Sequence, residues 1–556
     1  MRREVEAAPS MQGVGVISPP TGAQVRARVG VRPRPLRLDR AEWVLLGLFA
    51  LISLWVLGLD LWQVVVNGRV WTGTDGSYSV DQLQYLAWIQ SASRHVLVAN
   101  LFVIHGTPAD YFQPAVAISG MLVAIGVPAW LALLLWKPVG VIAMFLAVRA
   151  FARRSLPEQG RGAWLAVIAL ALFYGSFTSI YGSFGVIGDL FPGFMSWGYP
   201  FALLASAAMI FSLLAYASAR ASGRMSWAPG LLGALAGLLH PWQGEVLVVI
   251  FVGLELTARD TWSALRRHRQ TGLAAALGSP RVRLAAVAIG GTLLSLLYYA
   301  ALDKLDISWA LGRTASKHSM PGLAILVALL PLLLVALLGY RGAPRNDLIR
   351  IARAWPLATI VVFLQSGTSA GATPLHAFFG ITLPLSVLAV DGCLRLGWRR
   401  MPHSRVLATA VILLATVPAT AYELRVARVN ATPAGGNANF ITRSERDALA
   451  FLRHDRVRGG VLTRYYLGDA VPGLTGRRTY VGDCIWSEPN CPARERQSSQ
   501  LLQGEMSASQ AQQFVRSTGA RFVLSDCKHN ANLVPALRGL LVSVRRFGCA
   551  TVYQLQ

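Results

Sequence analysis

The stretch WVLLGLFALISLWVLGLDLWQVV, Trp43 to Val65, is soon followed by GTDGSYSVDQLQY, Gly73 to Tyr85. The first stretch is long enough to cross a bilayer, because a helix needs about 20 mainly apolar residues to span ~30 Å of hydrocarbon. The second stretch is polar, and it places Asp75 and Asp81 just beyond that hydrocarbon layer. Together they predict a membrane span that leads into a surface segment carrying carboxylates.

The whole chain has the composition of a membrane protein. Hydrophobic residues make up 54% of its 556 residues and charged residues only 14%, and apolar blocks recur from Glu42 to Glu423. Only helices and closed barrels satisfy their backbone hydrogen bonds in lipid. The blocks have helical length, so the sequence predicts a polytopic α-helical membrane protein with about 11 spans.

The basic residues are distributed as expected for a membrane protein rather than a nucleic-acid-binding protein. The formal net charge is +25, and the Lys and Arg residues cluster in short segments between apolar runs. This is the bias of cytoplasmic loops. Residues 1–41 have no apolar core, which predicts a disordered basic cytoplasmic tail rather than a cleavable signal peptide. An odd number of spans then places the N-terminus inside and the C-terminus outside.

Three regions follow from this pattern. Residues 42–423 are predicted to form the membrane domain, with a large first external loop at 66–128, and residues 424–556 to form an extracytoplasmic α/β domain. The α/β prediction rests on alternating short elements. Helices are expected at 444–454, with Ser444 and Asp447 as a capping box, and at 507–519. Strands are expected at 459–466, 477–483, 520–527 and, as a terminal hairpin, 540–556.

The cysteines support an external location for the C-terminal domain. Four of the five cysteines lie there, and disulfides form in oxidising compartments. We expect the pairs Cys484–Cys491 and Cys527–Cys549. Zinc is the rival interpretation, but the spacing lacks the close cysteine pairs of structural zinc sites.

The segment Val80 to His95 suits a short amphipathic helix along the membrane surface. It would carry Asp81, Gln84, Tyr85 and Trp88 on one face. A carboxylate in this position can act as a general base or hold a divalent cation against a phosphate. A helix cap or a solvated loop carboxylate is the structural alternative.

At these residues the chain resembles the GT-C superfamily of membrane glycosyltransferases that use polyprenyl-phosphate-linked sugars. Members similar to protein O-mannosyltransferases and to the lipid A aminoarabinose transferase carry an acidic pair and then a Tyr on this surface helix. DQLQY matches with Asp81 and Tyr85, while Gln82 stands where the second acid is expected. Segments 105–122, 237–247, 374–392 and 461–483 also resemble stretches of bacterial members.

The resemblance implies an inverting glycosyl transfer with Asp81 as the general base. Either Asp81 suffices alone, or Asp75 or Asp189 supplies a second carboxylate. A divalent cation, Mg²⁺ or Mn²⁺, remains open. The implied partners are a polyprenyl-phosphate sugar donor, membrane lipids and an envelope acceptor, which could be a glycolipid, a polysaccharide or an exported protein. The implied location is a bacterial-type plasma membrane.

Other polar residues are candidates for binding the sugar or phosphate. The short helices around LLHPWQGE indicate a cavity, and ionisable groups at membrane depth are usually functional. Arg464, Arg477 and Arg478 could contact an acceptor or simply stabilise the external domain. The predicted substrate-binding residues are Tyr85, His240, Gln243, Glu245, Arg313, Lys317, His318 and His376.

Two other classes of protein share parts of this pattern. A transporter or lipid flippase would also have broken helices and intramembrane charges, often with inverted repeats, and no convincing repeat is present here. A non-catalytic assembly protein would retain its function without Asp81. The surface-helix Asp with a Tyr four residues later favours the transferase.

Overall fold

A computed structural model describes residues 37–75, 78–175, 190–258, 279–316, 322–366, 374–400, 402–431, 438–529 and 531–556. The predictions for Asp189, Lys317 and His318 fall outside these ranges. The described chain is mostly helical, with several apolar helices followed by a small C-terminal sheet. This agrees with the predicted helical membrane protein and its mixed C-terminal region.

The N-terminal half of the membrane region is built from helices and three short strands. Helix α3 begins just after the polar stretch that contains Asp75, and α4 begins at a proline, as many helices do. The elements are α1 (Arg40–Ser53), α2 (Trp55–Val65), β1 (Val70–Trp71), α3 (Ser79–His95), β2 (Val98–Ala99), β3 (Ala109–Tyr111), α4 (Pro114–Ala124), α5 (Ala129–Leu134), α6 (Trp136–Ser155), α7 (Arg161–Phe173), α8 (Pro192–Gly198) and α9 (Pro200–Ser222).

The second half of the membrane region is entirely helical in its described parts. Three short 3₁₀ segments, Leu337–Tyr340, Pro374–Phe378 and Trp398–Arg400, connect or extend its helices. The helices are α10 (Ala228–Leu239), α11 (Pro241–Thr257), α12 (Pro280–Leu305), α13 (Ile307–Ala315), α14 (Gly322–Ala336), α15 (Asp347–Ser366), α16 (Thr382–Arg395) and α17 (Ser404–Asn430).

The prediction of about 11 spans is wrong. By length and composition, six described helical segments could cross a membrane, or seven if α1 and α2, which meet at 55°, form one broken span. Four predicted spans fail: α7, α10 and α11 have 13, 12 and 17 residues, and α15 carries charges in its first half. Such short helices do not complete a crossing of about 20 residues, although their apolar character resembles that of a span.

The C-terminal region forms a small α/β layer. Strand β5 pairs with β6 in parallel, and β8 pairs antiparallel with both β6 and β7, giving the order β5-β6-β8-β7. A two-residue strand, β4 (Phe440–Ile441), pairs instead with β1 of the membrane region. The remaining elements are α18 (Arg443–His454), β5 (Val461–Leu462), α19 (Tyr465–Thr475), α20 (Cys491–Gln503), α21 (Ala508–Thr518), β6 (Phe522–Ser525), β7 (Leu541–Phe547) and β8 (Ala550–Leu555).

Several local predictions for this region need correction. The predicted strand at 459–466 is only β5, because α19 begins at Tyr465, and the segment at 477–483 forms one bridge, between Thr479 and Val461. The capping box of α18 is Thr442 with Glu445, because Thr442 is the extended residue before the helix. Helix α20 was not predicted. The two predicted disulfides, Cys484–Cys491 and Cys527–Cys549, are confirmed.

Helix α19 and the 481–483 segment pack tightly against each other and against α3. A Cβ atom on Gly468 would lie 1.8 Å from the Val481 carbonyl oxygen, and one on Gly473 would lie 2.8 Å from Leu86 Cβ on α3. The Arg478 guanidinium donates to the carbonyl oxygens of Asn100 and His105, at 2.7 and 2.8 Å. The C-terminal region is therefore fastened to the segment around α3 by both steric fit and hydrogen bonds.

We predict that Gly468→Ala will lower the unfolding midpoint of the purified protein in detergent. The added methyl group overlaps a backbone oxygen, and overpacking of this kind costs about 1–3 kcal/mol. Gly253→Ala is the matched control, because a Cβ atom on this α11 residue would meet nothing within 4 Å in the described chain beyond its chain neighbours and the backbone of its own helix. Equal midpoints for the two variants would contradict the close packing of α19.

Candidate functional site

Helix α3 carries the sequence-predicted acid in its first turn. Leu83, Leu86 and Ile89 are buried on this helix and anchor it, while Asp81 remains half-buried. A carboxylate is favoured at a helix N-terminus by the helix dipole. Burial nevertheless raises the pKa of Asp81 to about 6, an effect that its own backbone N–H partly offsets. Asp81 therefore changes its charge close to neutral pH.

Gln82, which stands in place of the expected second acid, has a different task. Its side chain is fully buried, and its amide nitrogen donates to the Trp197 carbonyl oxygen at 2.7 Å. Its amide oxygen accepts from the backbone N–H of Asp75 at 3.1 Å. A buried amide with both ends hydrogen-bonded fixes the backbone around it. Because Trp197 lies on α8, Gln82 joins α3 to α8.

Asp75 lies in a buried ion pair. Its Oδ2 is 2.6 Å from Lys137 Nζ, and both side chains are fully buried. Lys137 also donates to the Ser196 carbonyl oxygen. The pair connects the polar segment before α3 with α6 and α8. No contact described in the structure joins Asp75 to Asp81.

We predict that Lys137→Met will destabilise the protein strongly, because it leaves the Asp75 carboxylate buried without its partner. Breaking a buried pair from one side costs about 3–5 kcal/mol. The double variant Lys137→Met/Asp75→Asn removes both charges and should recover much of the loss in unfolding midpoint. A single variant as stable as the double variant would show that the ion pair does not hold this segment.

Two further acids, which no motif in the sequence singles out, lie near Asp81. Asp469 follows Gly468 on α19, and Asp483 follows Gly482. A Cβ atom on Gly482 would lie 2.7 Å from the Gly468 carbonyl oxygen, so the two Gly-Asp pairs are packed backbone to backbone. The repeated Gly-Asp dipeptide was the available signal, but a two-residue pattern cannot show that distant segments meet.

The three carboxylates repel one another. Burial is the main cause that raises the pKa of Asp483 to about 7, and the charge of Asp81 adds to it, whereas the Ile485 N–H opposes it. Burial also raises the pKa of Asp469 well above its ordinary value, with further contributions from Asp483, Glu495 and Asp81. Three carboxyl groups therefore crowd together where α3 meets the C-terminal region, and the ionisation of Asp469 and Asp483 is disfavoured there.

Asp483 is held against α3 by a neighbouring amide. In the orientation that satisfies both ends of its side chain, Gln84 donates to Asp483 Oδ2 at 3.2 Å and accepts from Trp486 Nε1 at 2.7 Å. Gln84 and Tyr85 lie on the same helix as Asp81, about one turn later. These residues lie on the helix face predicted from their spacing, and that face meets the disulfide-linked loop after Asp483.

Aromatic rings surround this junction. Ring centroids are 5.6 Å apart for Tyr85 and Trp88, 5.7 Å for Trp88 and Trp486, and 4.9 Å for Trp309 and Trp486. Trp309 comes from α13. This helix lies close to the disulfide loop, since a Cβ atom on Gly312 would be only 3.2 Å from the Ile485 carbonyl oxygen. Elements from α3, α13 and the disulfide loop thus form one aromatic wall.

A second group of predicted residues meets where α10 and α11 join. His240 Nδ1 hydrogen-bonds to Gln243 Oε1, and Gln243 Nε2 donates to the His376 carbonyl oxygen at 3.1 Å. The rings of His240 and His376 are 5.0 Å apart. Glu245 lies half-buried two residues further along α11.

Aromatic contacts lead from this histidine group toward α3. Tyr199 is 5.5 Å from the His376 ring and 5.3 Å from the ring of Tyr78, the residue immediately before α3. The structure therefore brings together His240, Gln243 and His376 and connects them to the helix that carries Asp81.

Arg313 lies apart from both groups in its described contacts. Its Nε is 2.6 Å from Asp303 Oδ1, which links α13 back to α12. Within the described ranges, no group of three or more His, Cys, Asp or Glu residues has a geometry that could hold a metal ion. A role for Mg²⁺ or Mn²⁺ stays a prediction.

Comparison with known proteins finds likeness in structure rather than in sequence. Neither a protein-family model nor a curated protein matches the chain. The arabinofuranosyltransferase AftD from Mycobacteria has a TM-score of 0.52 and 15% identity, covering 93% of this chain and 42% of that chain. The chain thus spans less than half the length of AftD.

Archaeal structures match at lower scores. The Archaeoglobus fulgidus oligosaccharyltransferase tethered with an acceptor peptide has a TM-score of 0.49 and 13% identity, covering 89% of this chain and 70% of that chain. The oligosaccharyltransferase AglB from the same organism, in complex with an inhibitory peptide and a dolichol-phosphate, has a TM-score of 0.48 and 12% identity, with coverage of 89% and 70%.

Proposed function

We propose that this chain, which has the GT-C membrane glycosyltransferase fold predicted from its sequence, transfers a sugar from a polyprenyl-phosphate-linked donor to an envelope acceptor. The observation that carries the proposal is Asp81 in the first turn of α3, half-buried beside two other acids and an aromatic wall. In this proposal the protein lies in a bacterial-type plasma membrane, with its N-terminus in the cytoplasm and residues 424–556 outside.

Asp81 acts as the general base. Its carboxylate takes the proton from an acceptor hydroxyl while the hydroxyl oxygen forms a bond to the anomeric carbon of the donor sugar. The bond between that carbon and the phosphate oxygen breaks, and polyprenyl phosphate leaves with the electron pair. Attack opposite the leaving group inverts the configuration. A carboxyl group with a pKa of about 6 suits this role, since general bases work best near the operating pH.

The histidine group binds the donor in this proposal. His240 and Gln243 lie at the break between two short helices, where polar side chains are costly unless they serve a purpose. Imidazole and amide groups can donate hydrogen bonds to a phosphate as its charge develops. His376 completes the group, and the aromatic contacts through Tyr199 place it along a continuous path to the start of α3.

The remaining predicted residues take supporting roles. Tyr85 borders the acceptor side on the face of Asp81. Arg313, fixed by Asp303, together with Lys317 and His318, guides the anionic donor, and Glu245 lies beside the donor pocket. Asp75 is a positioning residue through its bond to Lys137, and Asp189 remains a candidate second acid.

Replacing Asp81 tests the proposal. In proteoliposomes with labelled polyprenyl-phosphate sugars and a crude envelope extract, wild type should transfer label and Asp81→Asn should lose most of it, by about 10²-fold or more, because the base is gone. Asp447→Asn, an exposed acid on α18, is the control and should retain activity. Full activity of Asp81→Asn, or lipid or solute movement without sugar transfer, would favour a transporter or flippase instead.

The pH dependence identifies the base. Because Asp81 must be ionised, log kcat/KM should rise with a slope near one below pH 6 and level off above it, with a break at about 6. The profile is measured by initial rates of label transfer between about pH 4.5 and 8.5, a range that brackets this break. A break that disappears in Asp483→Asn would assign the base to Asp483, one that persists there would keep it with Asp81, and a flat wild-type profile would exclude both carboxylates.

A further inference from the structure

A second charged region of the protein lies where three of its membrane helices end or begin. The candidate spans Gly322–Tyr340 and Pro374–Arg395 end in this region, and the candidate span Ser404–Val429 begins in it. The first of these is followed by residues 341–346, which lead to α15, and the second is joined to α17 by a short connection. These connections are rich in arginine, at the depth where a span meets the headgroups of the bilayer.

Close packing of two helix ends brings the first connection against α16. A Cβ atom on Gly392 would lie 2.7 Å from the Gly339 backbone nitrogen, and a Cβ atom on Gly342 would lie 3.3 Å from Arg395 Nη1. Gly342 has a φ of 70°, in the left-handed region that glycine adopts readily. Because these residues have no side chains, the turn at 341–343 lies directly on the end of α16.

Two arginines fix the backbone of this turn. Arg353 Nη1 donates to the Gly342 carbonyl oxygen at 3.0 Å, and the same guanidinium also donates to the carbonyl oxygens of two nearby residues. Arg395 Nη1 donates to the Ala343 carbonyl oxygen at 3.1 Å, and its Nε donates to Asp391 Oδ2 at 2.7 Å. Because each guanidinium binds several acceptors at once, the turn is a rigid scaffold for the side chains that it carries.

This scaffold presents positive charge that the protein neutralises only in part. Arg341 and Arg345 are exposed on it. Arg395 Nη2 has no hydrogen-bond partner among the residues that the structure describes. Asp391 pairs with Arg395 at 2.7 Å and with Arg345 at 3.2 Å. One carboxylate therefore serves two guanidinium groups, and the remaining positive charge is available to an anionic ligand.

Apolar surface lies beside these arginines. On the connection to α17, Arg400 folds back toward the end of α16, since a Cβ atom on Gly397 would lie 3.7 Å from Arg400 Cδ. Leu396 is 52% exposed, and Val406, which follows the exposed Arg405, is 68% exposed. Only 17% of the apolar window on α17 is buried, so most of this helix faces lipid. Cationic groups and lipid-facing side chains are therefore neighbours at the end of the spans.

The combination of charge and apolar surface selects among anionic ligands. Guanidinium groups bind phosphate oxygens through paired N–H donors. A soluble anion or an acidic peptide would use the arginines but leave the adjoining apolar surface uncovered. A phospholipid with a net negative charge uses both, because its phosphate lies at the depth of the arginines and its acyl chains lie along the helices below them.

We propose that the turn at 341–345 and the adjoining ends of α16 and α17 form a binding site for an anionic phospholipid. The phosphate accepts hydrogen bonds from Arg341 and Arg345, and the acyl chains lie against Leu396 and Val406. The site is at the opposite end of its span from His376, on the other face of the membrane. The inference therefore does not depend on the proposed glycosyl transfer.

Competition between two lipids tests the site. The full-length protein, purified in detergent, is equilibrated with equal amounts of phosphatidylglycerol and phosphatidylcholine that carry identical acyl chains, and the first bound lipid is identified by native mass spectrometry. Wild type should prefer phosphatidylglycerol. Arg341→Gln/Arg345→Gln should lower that preference by about tenfold or more, since each basic residue at a membrane surface contributes about a fivefold preference for anionic lipid.

A variant with the same loss of charge elsewhere is the control. Arg154→Gln/Arg224→Gln removes two exposed arginines near the ends of α6 and α9, which are also candidate spans. It should keep the wild-type preference. Equal losses in the two double variants would overturn the site, because basic charge near any span would then account for the binding. A wild type that binds the two lipids equally would overturn it as well.

Two further measurements guard against misfolding and against a free anion. Arg341→Gln leaves both ion pairs of Asp391 intact, so it should fold, and it should lower the preference about fivefold. An unchanged preference in this variant would overturn the proposal. Excess inorganic phosphate should leave phosphatidylglycerol bound, because it cannot replace the apolar contacts. Displacement by phosphate would overturn a lipid ligand in favour of a soluble anion. Neither measurement involves a sugar donor, so failure here is distinct from failure of the proposed function.

Discussion

The backbone contact between Gly468 and the 481–482 segment determines how the rest of the site is arranged. Without a side chain at Gly468, α19 approaches the Val481 carbonyl oxygen closely enough to align Asp469 and Asp483. Gly473 lets the same helix settle against Leu86 on α3. The C-terminal region thereby reaches α3, and acids from three separate parts of the sequence come close together.

Bringing three carboxyl groups close together is electrostatically unfavourable. Like charges in a poorly solvated region raise one another's pKa, and the effect is present at Asp483 and Asp469. The packing of glycines, the Arg478 hydrogen bonds and the disulfide loop provide the opposing stabilisation. Clustering that is unfavourable for the fold is common at functional sites, where a ligand completes what the protein leaves unsatisfied.

Sequence reasoning succeeded where the signal is local. Helical periodicity placed Asp81, Gln84, Tyr85 and Trp88 on one face of α3. The short spacing of Cys484 and Cys491, and the position of Cys527 on a strand beside the terminal hairpin, predicted the two disulfides correctly. It failed on the number of spans, because an apolar run such as α10 looks alike whether or not it crosses the bilayer. Asp469 and Asp483 were missed because their importance comes from tertiary contact, which a single sequence does not reveal.

The Cys484–Cys491 disulfide makes the assembly of the site depend on the redox state of the compartment that the chain has reached. Because such bonds form in oxidising compartments, a newly made chain carries Asp81 on α3 before the loop that holds Asp483 and Trp486 has been closed. A chain that is inserted but still reduced would have α3 in place without the cross-linked loop that carries Trp486, so under the proposed function its site would stay incomplete until it meets an oxidising environment.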